Sequence, residues 1–364
     1  MRHALIIAGG SGVRLWPMSR RTSPKQLIPF IGGRSLLQLA ADRVGPLTLP
    51  SNRYICALEE HRERVATALP GWSGEQFLGE PAGRDTLTAV AFSAAVIARK
   101  DPEAVIAVFP ADHVIEPVEQ FREIVSNAYS VVERHPDVLA TFGIAPSQAS
   151  TAYGYLELGG TIEPGVSTVR QFREKPDDAT AASYFSAGPS RYLWNSGMFV
   201  WRASTLLDCV RRYEPAVYEG VSRIAAAWDT PERGAVLART YPELKKLSVD
   251  YGVMEPASRD SSVRVAAIPM PLRWLDVGSW PMFAKTCAAD EYGNALAAER
   301  HLLAHTSNTL VASSDPRHVI ATIGCEDLII VHTPDATLVC PAGRAEQIKE
   351  LHRMLGEKFG GEYL

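Results

Sequence analysis

Cysteine is scarce in this 364-residue chain: Cys56, Cys209, Cys287, Cys325 and Cys340 are scattered, with no C-x-x-C pair and no short metal-ligand spacing. An odd count in so long a chain reads as reduced thiols of the cytosol rather than a disulfide framework. An excess of positive charge is also lacking. The 37 Lys and Arg against 41 Asp and Glu leave −4, so no overall field draws the protein to nucleic acid or to an anionic membrane, and any phosphate site must be a local basic cluster. No stretch approaches the roughly 18–20 apolar residues of a membrane span. The first apolar run, Leu5-Ile6-Ile7-Ala8, is too short for a signal peptide, and no cleavage pattern follows it. A soluble cytoplasmic protein is expected, with neither nucleic acid nor membrane as partner. What is present is ordinary for a globular chain, 46% apolar and 21% charged, with length for one large domain plus a small one, or for two.

Through the first 145 residues, short apolar runs alternate with helical periodicity. Leu5–Ala8, Tyr54–Leu58, Val105–Phe109 and Val138–Phe142 read as buried strands. Ser35–Val44, Glu60–Leu69, Asp85–Lys100 and Val118–Arg134 read as helices, and Lys100-Asp101-Pro102 stops one of them. That spacing predicts an α/β fold with a mainly parallel sheet covered on both faces. From about 150 to 285, strands Thr168–Phe172 and Met198–Trp201 are interrupted by helices near Asp177–Ala187 and Thr205–Tyr213, as in an insertion that completes the same domain and holds a second substrate. After about 295 the runs Thr309–Ala312, Val319–Ile323, Leu328–Val331 and Thr337–Val339 fit a small β-sheet or a few coils of a β-helix, closed by the amphipathic stretch Arg344–Leu355. The expected division is therefore 1–295 and 296–364.

The loop after the first strand is Ala8-Gly9-Gly10-Ser11-Gly12-Val13-Arg14-Leu15, continuing to Arg20, Arg21, Pro24 and Lys25. Three glycines let backbone N–H groups approach phosphate oxygens, and the cations supply charge. It is not a dinucleotide fingerprint, because Leu15 stands at the third glycine position and Pro17 follows. Nor is it a P-loop, since no lysine follows Gly12. A glycine turn with a solvated basic face is the bland alternative. Four cations among the twelve residues Arg14–Lys25 favour a phosphate-binding loop.

G-G-S-G-V-R-L-W-P-M-S-R followed by P-K-Q resembles the signature of the mannose-1-phosphate guanylyltransferases, within the nucleotidylyltransferases of glycosyltransferase-A type. The resemblance continues, in the family's order and over about residues 4–285, through Glu80-Pro81-Ala82-Gly83-Arg84-Asp85-Thr86, Pro110-Ala111-Asp112-His113, Tyr153-Gly154-Tyr155, Phe172-Arg173-Glu174-Lys175-Pro176, Trp194-Asn195-Ser196-Gly197-Met198-Phe199, Ser248 to Glu255, and Asp276-Val277-Gly278-Ser279-Trp280. It implies a glycosyltransferase-A, Rossmann-like α/β domain and transfer of GMP from GTP to mannose 1-phosphate, giving GDP-mannose and pyrophosphate with Mg²⁺ as cofactor. For the tail it implies a short left-handed β-helix that supports a homodimer. The segment after the last block is too short for the cupin-type isomerase domain that some relatives carry, so no isomerase activity is expected.

The reaction joins two polyanions. A phosphate monoester is already ionised at pH 7, so no general base is required; alignment and charge neutralisation are. That chemistry calls for cations and a metal. Arg14 and Lys25 are candidates for the triphosphate and the leaving group, alongside backbone of Ala8, Gly9, Gly10, Ser11 and Gly12. By resemblance, Asp112 and Asp276 are the metal carboxylates, with helix or turn capping as the alternative role for each. His113 reads as structural. Glu80, Arg84 and Asp85 stand where the guanine edge is read, although the family more often has asparagine at Asp85, which could simply cap a helix. The resemblance gives Lys175 to the sugar phosphate and Glu174, Gly154 and Asn195 to the sugar; Glu255 and Asp250 could orient it. Ala152 stands where glycine is commoner. Trp194, Trp201 and Trp280 read as packing residues. Rival functions are the same chemistry with another base or sugar, and a non-catalytic sugar-nucleotide-binding subunit.

Overall fold

The computed structural model describes every residue except Ser11 and Phe30. The chain packs into two compact units that interleave along the sequence. One comprises residues 1–9, 41–111 and 115–273; the other comprises 10–40, 112–114 and 274–364. The expected linear division near residue 295 followed the change in strand pattern, whereas packing groups the glycine-rich arm with the C-terminal segment.

In the first unit a nine-stranded sheet runs in the order Phe77–Glu80, Arg53–Leu58, Arg2–Ile7, Val105–Pro110, Tyr192–Arg202, Val138–Ile144, Arg264–Pro269, Val166–Arg173, Tyr155–Glu163. The first four strands pair in parallel, as do Val138–Ile144 and Arg264–Pro269. The long strand Tyr192–Arg202 inserts antiparallel between Val105–Pro110 and Val138–Ile144, so seven of the nine strands point one way. The apolar runs form strands because helices cover them. Helix Asp85–Lys100 is buried continuously from Leu87 to Ile97 and packs against Ala203–Tyr213 and Pro215–Ala226. Helix Val118–Arg134 buries one face, Phe121, Val125, Ala128, Tyr129, Val131 and Val132, at helical spacing. Strand Phe77–Glu80 was not legible, since its four residues include Gly79 and Glu80 and lack an apolar run.

In the second unit, Ala295–Ala297, Leu310–Ser313 and Leu328–Thr333 stack in parallel, and Arg300–Ala304 pairs in parallel with Val319–Ile323. These two ladders are the coils of a β-helix. The register steps by 15 residues from Ala295 to Leu310, and by 19 from Leu310 to Ile329 and from Arg300 to Val319. Antiparallel Ala336–Pro341 ends the stack, and helix Ile348–Phe359 follows. Leu15, Trp16, Leu36, Val277, Trp280 and Phe283 share one apolar core with Leu310, Val331, Leu338 and Ile348. Trp280 Nε1 donates to the Trp16 carbonyl at 2.9 Å, and Trp16 Nε1 to that of Tyr363 at 2.8 Å. The C-terminal module thus holds the arm that carries Arg14 and Lys25.

Candidate active site

Within the second unit, the Lys25 ammonium lies 2.5 Å from Asp112 Oδ2, with Lys25 only 8% exposed. Gly12 makes that seat possible. It adopts a φ of +61°, and a Cβ there would lie 2.8 Å from Lys25 Cβ. Asp112 follows strand Val105–Pro110, and its carbonyl accepts from Val277 N at 3.0 Å, which brings Asp276 alongside. Ligand atoms of Asp112, His113 and Asp276 all lie within 4.8 Å of one another. Arg14 reaches the same place, since its Nη2 sits 3.0 Å from where a Cβ on Gly278 would be and Asp276 Oδ1 is 3.6 Å from that point. Its Nη1 donates to Glu346 of the C-terminal module at 2.7 Å.

The electrostatics fit a cation. Burial works to raise the Asp112 carboxyl, but the Lys25 ammonium overrides it and holds Asp112 well below the usual carboxylate range. Asp276 goes the other way, raised by burial and then by the neighbouring Asp112 charge. Burial also lowers Lys25, yet Asp112 and Asp276 together raise it. The carboxylate oxygens of Asp112 and Asp276, within 4.8 Å of one another, are the donors a hard divalent ion takes.

The first unit holds two further clusters. In one, Lys175 Nζ is 2.7 Å from Glu174 Oε1, and a Cβ on Gly154 would collide with Glu174 Oε2. Only glycine lets that carboxylate lie against the backbone at 154. Asn195 Nδ2 donates to Asp250 Oδ1 at 2.8 Å, while its Oδ1 accepts from Thr141 Oγ1 at 2.7 Å. Burial, then the adjacent Glu174, raises the Asp250 carboxyl to about 7. Lys175 takes a left-handed φ of 43°, a strained setting that side chains hold where position matters. In the other cluster, the buried Glu80 accepts at Oε1 from Tyr241 OH at 2.5 Å, and burial raises its carboxyl to about 7. Glu80 Oε2 lies 4.0 Å from where a Cβ on Gly9 would stand.

The expected residues therefore divide. Arg14, Lys25, Asp112 and Asp276 gather in one place, and Gly154, Glu174, Lys175 and Asn195 in another. Ala8 does not offer its amide, which donates to the Cys56 carbonyl at 2.8 Å. Gly10 has a φ of +102°, and Ser11 lies outside the described residues. Arg84 spends its Nη2 on the Pro242 carbonyl, and the exposed Asp85, the first residue of its helix, accepts from the adjacent Thr86 N at 2.8 Å, a contact with its own neighbour rather than an N-cap bond. Arg20 is committed to the C-terminal module through Tyr363 O and Asp335. Glu255 pairs with Arg259 at 2.7 Å. Tyr241, Trp274 and Glu346 were not foreseen. Only Trp274 left a signal, since it stands two residues before Asp276 on strand Arg273–Asp276 and so shares its face.

A family model described as "Nucleotidyl transferase" matches residues 3–292, and one described as "MannoseP isomerase/GMP-like beta-helix domain" matches 299–355. The mannose-1-phosphate guanylyltransferase of Klebsiella pneumoniae is 34% identical over 367 residues, covering 99% of this chain and 75% of that protein. The chain belongs to the mannose-1-phosphate guanylyltransferases of the nucleotidyl transferase family. This nucleotidyltransferase is also 36% identical to the Xanthan biosynthesis protein XanB of Xanthomonas campestris pv. campestris (strain B100), over 95% of its own length and 72% of the relative's. The crystal structure named mannose-1-phosphate geranyltransferase, from Thermus thermophilus, superposes with a TM-score of 0.85 at 31% identity, covering 97% of this chain and 99% of that one. A nucleotidyltransferase of this family acts on small sugar-phosphate and nucleotide substrates with a divalent metal, in keeping with the adjacent carboxylates of Asp112 and Asp276. Among the described residues, no helix is long and apolar enough to cross a membrane.

Proposed function

We propose that this enzyme transfers GMP from GTP to mannose 1-phosphate, with Mg²⁺ as the divalent ion. A phosphate oxygen of the sugar phosphate attacks the α-phosphorus of GTP. A new P–O bond forms, the bond from the α-phosphorus to the β-phosphate oxygen breaks, and pyrophosphate leaves in line. The observation that carries the reading is the convergence of Arg14, Lys25, Asp112 and Asp276, two cations and two carboxylates, with Lys25 and Asp112 only 2.5 Å apart. Asp112 and Asp276 would hold the ion, which supplies charge neutralisation at the reacting phosphates. Lys25 and Arg14 bind the triphosphate and the departing pyrophosphate. Gly9, Gly10 and Gly12 give the loop its close approach.

Lys175 binds the sugar phosphate, while Glu174 and Asn195, with Asp250 behind them, take sugar hydroxyls. Glu80 reads the guanine edge, and Arg84 and Asp85 shape the loop beside it. Residues 1–295 carry the chemistry, and 296–364 form the β-helix module. The strand face exposing Leu302, Val319 and Ile323 supports a homodimer contact. Five cysteines without a disulfide support a cytoplasmic setting.

The test is pyrophosphate release with a panel of nucleoside triphosphates and sugar 1-phosphates, with and without Mg²⁺. Turnover restricted to GTP and mannose 1-phosphate and dependent on the ion supports the assignment. Preference for another base or sugar transfers the same chemistry to other substrates. Tight GDP-mannose binding without turnover would replace the enzyme with a binding module.

A further inference from the structure

His113 sits among the metal-site carboxylates, and the simplest reading of that cluster makes it a third ligand. The hydrogen bonding argues otherwise. Trp274 Nε1 donates to His113 Nδ1 at 3.2 Å, and the two rings meet edge to face with centroids 5.2 Å apart. An indole N–H can only donate, so His113 Nδ1 must present a lone pair there. A neutral imidazole then carries its single hydrogen on Nε2. That is the nitrogen directed at Asp112, 3.9 Å from Oδ1. A nitrogen bearing hydrogen has no lone pair for a metal. The ring is 4% exposed, and flipping it would break the Trp274 bond inside a packed setting.

We infer that Trp274 excludes His113 from metal coordination, making His113 a positioning residue that turns an N–H toward Asp112, and so leaves the ion only oxygen donors. The inference rests on the proposed metal site at Asp112 and Asp276. Its consequence is selectivity. Oxygen donors suit Mg²⁺ and Mn²⁺, whereas an available imidazole favours Zn²⁺ and Co²⁺. Trp274 thus acts on the metal without touching it, much as outer partners of ligating histidines fix their tautomers elsewhere, but with the opposite result.

The experiment uses full-length protein carrying ¹⁵N-histidine, loaded with Mn²⁺ and GTP and no sugar phosphate. Electron spin-echo spectroscopy should show phosphate coupling to Mn²⁺ and no directly bound histidine nitrogen. Nitrogen NMR of the metal-free protein should show His113 as the Nε2–H tautomer. Trp274→Phe keeps an aromatic ring at the position but removes the donor. It should bring a histidine nitrogen onto Mn²⁺ and tighten Zn²⁺ binding about tenfold in competition with Mn²⁺. A histidine-nitrogen coupling in the unsubstituted protein that vanishes in His113→Gln overturns this inference and leaves the metal site standing, as does an Nδ1–H tautomer. Mn²⁺ binding that survives Asp112→Asn unchanged overturns the metal site itself, and this inference with it. The measurements on the unsubstituted protein decide the matter even if Trp274→Phe folds poorly.

Discussion

Asp112 and Asp250 are the same residue type in two half-buried settings, and their carboxyls move in opposite directions. Asp112 has the Lys25 ammonium at 2.5 Å and is held ionised far below the ordinary range. Asp250 has an asparagine at 2.8 Å and a second carboxylate, Glu174, nearby, and its carboxyl is raised to about 7. Burial opposes charge at both sites; the difference is that Lys25 pairs directly with Asp112, whereas Lys175 pairs with Glu174 and not with Asp250. A fixed negative charge beside Asp276 suits a metal and phosphates. A crowded pair of carboxylates suits neutral hydroxyl donors, which relieve the crowding by hydrogen bonding.

Four substitutions sharpen that contrast. Asp112→Asn removes the fixed charge while keeping the shape, and kcat for pyrophosphate release should fall on the order of 10²–10³-fold, the scale for losing one transition-state electrostatic partner. A loss confined to KM would move Asp112 out of the chemistry. Lys175→Ala deletes a charge-assisted hydrogen bond, typically worth about 1.5–3 kcal/mol, so KM for the sugar phosphate should rise about 10- to 100-fold with KM for GTP unchanged. A shift in GTP affinity alone would reverse the division of roles.

The third concerns pH. A carboxyl whose pKa is higher folded than unfolded binds a proton on folding. Asp250 therefore stabilises the fold most below about pH 4, and stability is lost as pH rises through its folded value of about 7. Asp250→Asn should flatten that part of the slope and add about 1–2 kcal/mol of stability at pH 8 in urea denaturation, while weakening sugar-phosphate binding. Equal slopes for the two proteins between pH 5 and pH 8 would refute the crowded-pair account. The smallest effect belongs to Gly12→Ala, which puts a Cβ at positive φ against Lys25 and should cost about 1 kcal/mol or slightly more, read as a lower Tm. An unchanged Tm would mean that the loop relaxes freely.

Much of the site around Asp112 was legible, because its signals are local. The glycine arm, its cations, and Asp112 at the end of an apolar strand all sit where sequence pattern alone predicts ligands. Helices Asp85–Lys100 and Val118–Arg134 were legible to the residue, since one ends before Asp101-Pro102 and the other shows a clean apolar stripe. Long strands broken by polar residues were cut short. Tyr192–Arg202 was read only as Met198–Trp201, because Asn195, Ser196 and Gly197 interrupt its apolar run. Ala295–Ala297 and Arg300–Ala304 were missed; they are short, and their coil neighbours define them. Side-chain partners at long range left no trace. Nothing near Glu80 announces Tyr241, 161 residues away, and nothing near Arg14 announces Glu346. Arg84 stood among the candidates for the guanine edge, but its guanidinium braces the backbone at Pro242.

The most direct test of the central assignment is Mn²⁺ titration in the presence of GTP, followed by electron paramagnetic resonance, for the unsubstituted enzyme and for Asp112→Asn and Asp276→Asn. The account predicts one tight Mn²⁺ site that is lost or strongly weakened in both substituted proteins while each remains folded. Undiminished Mn²⁺ binding in both would place the ion elsewhere and contradict the account.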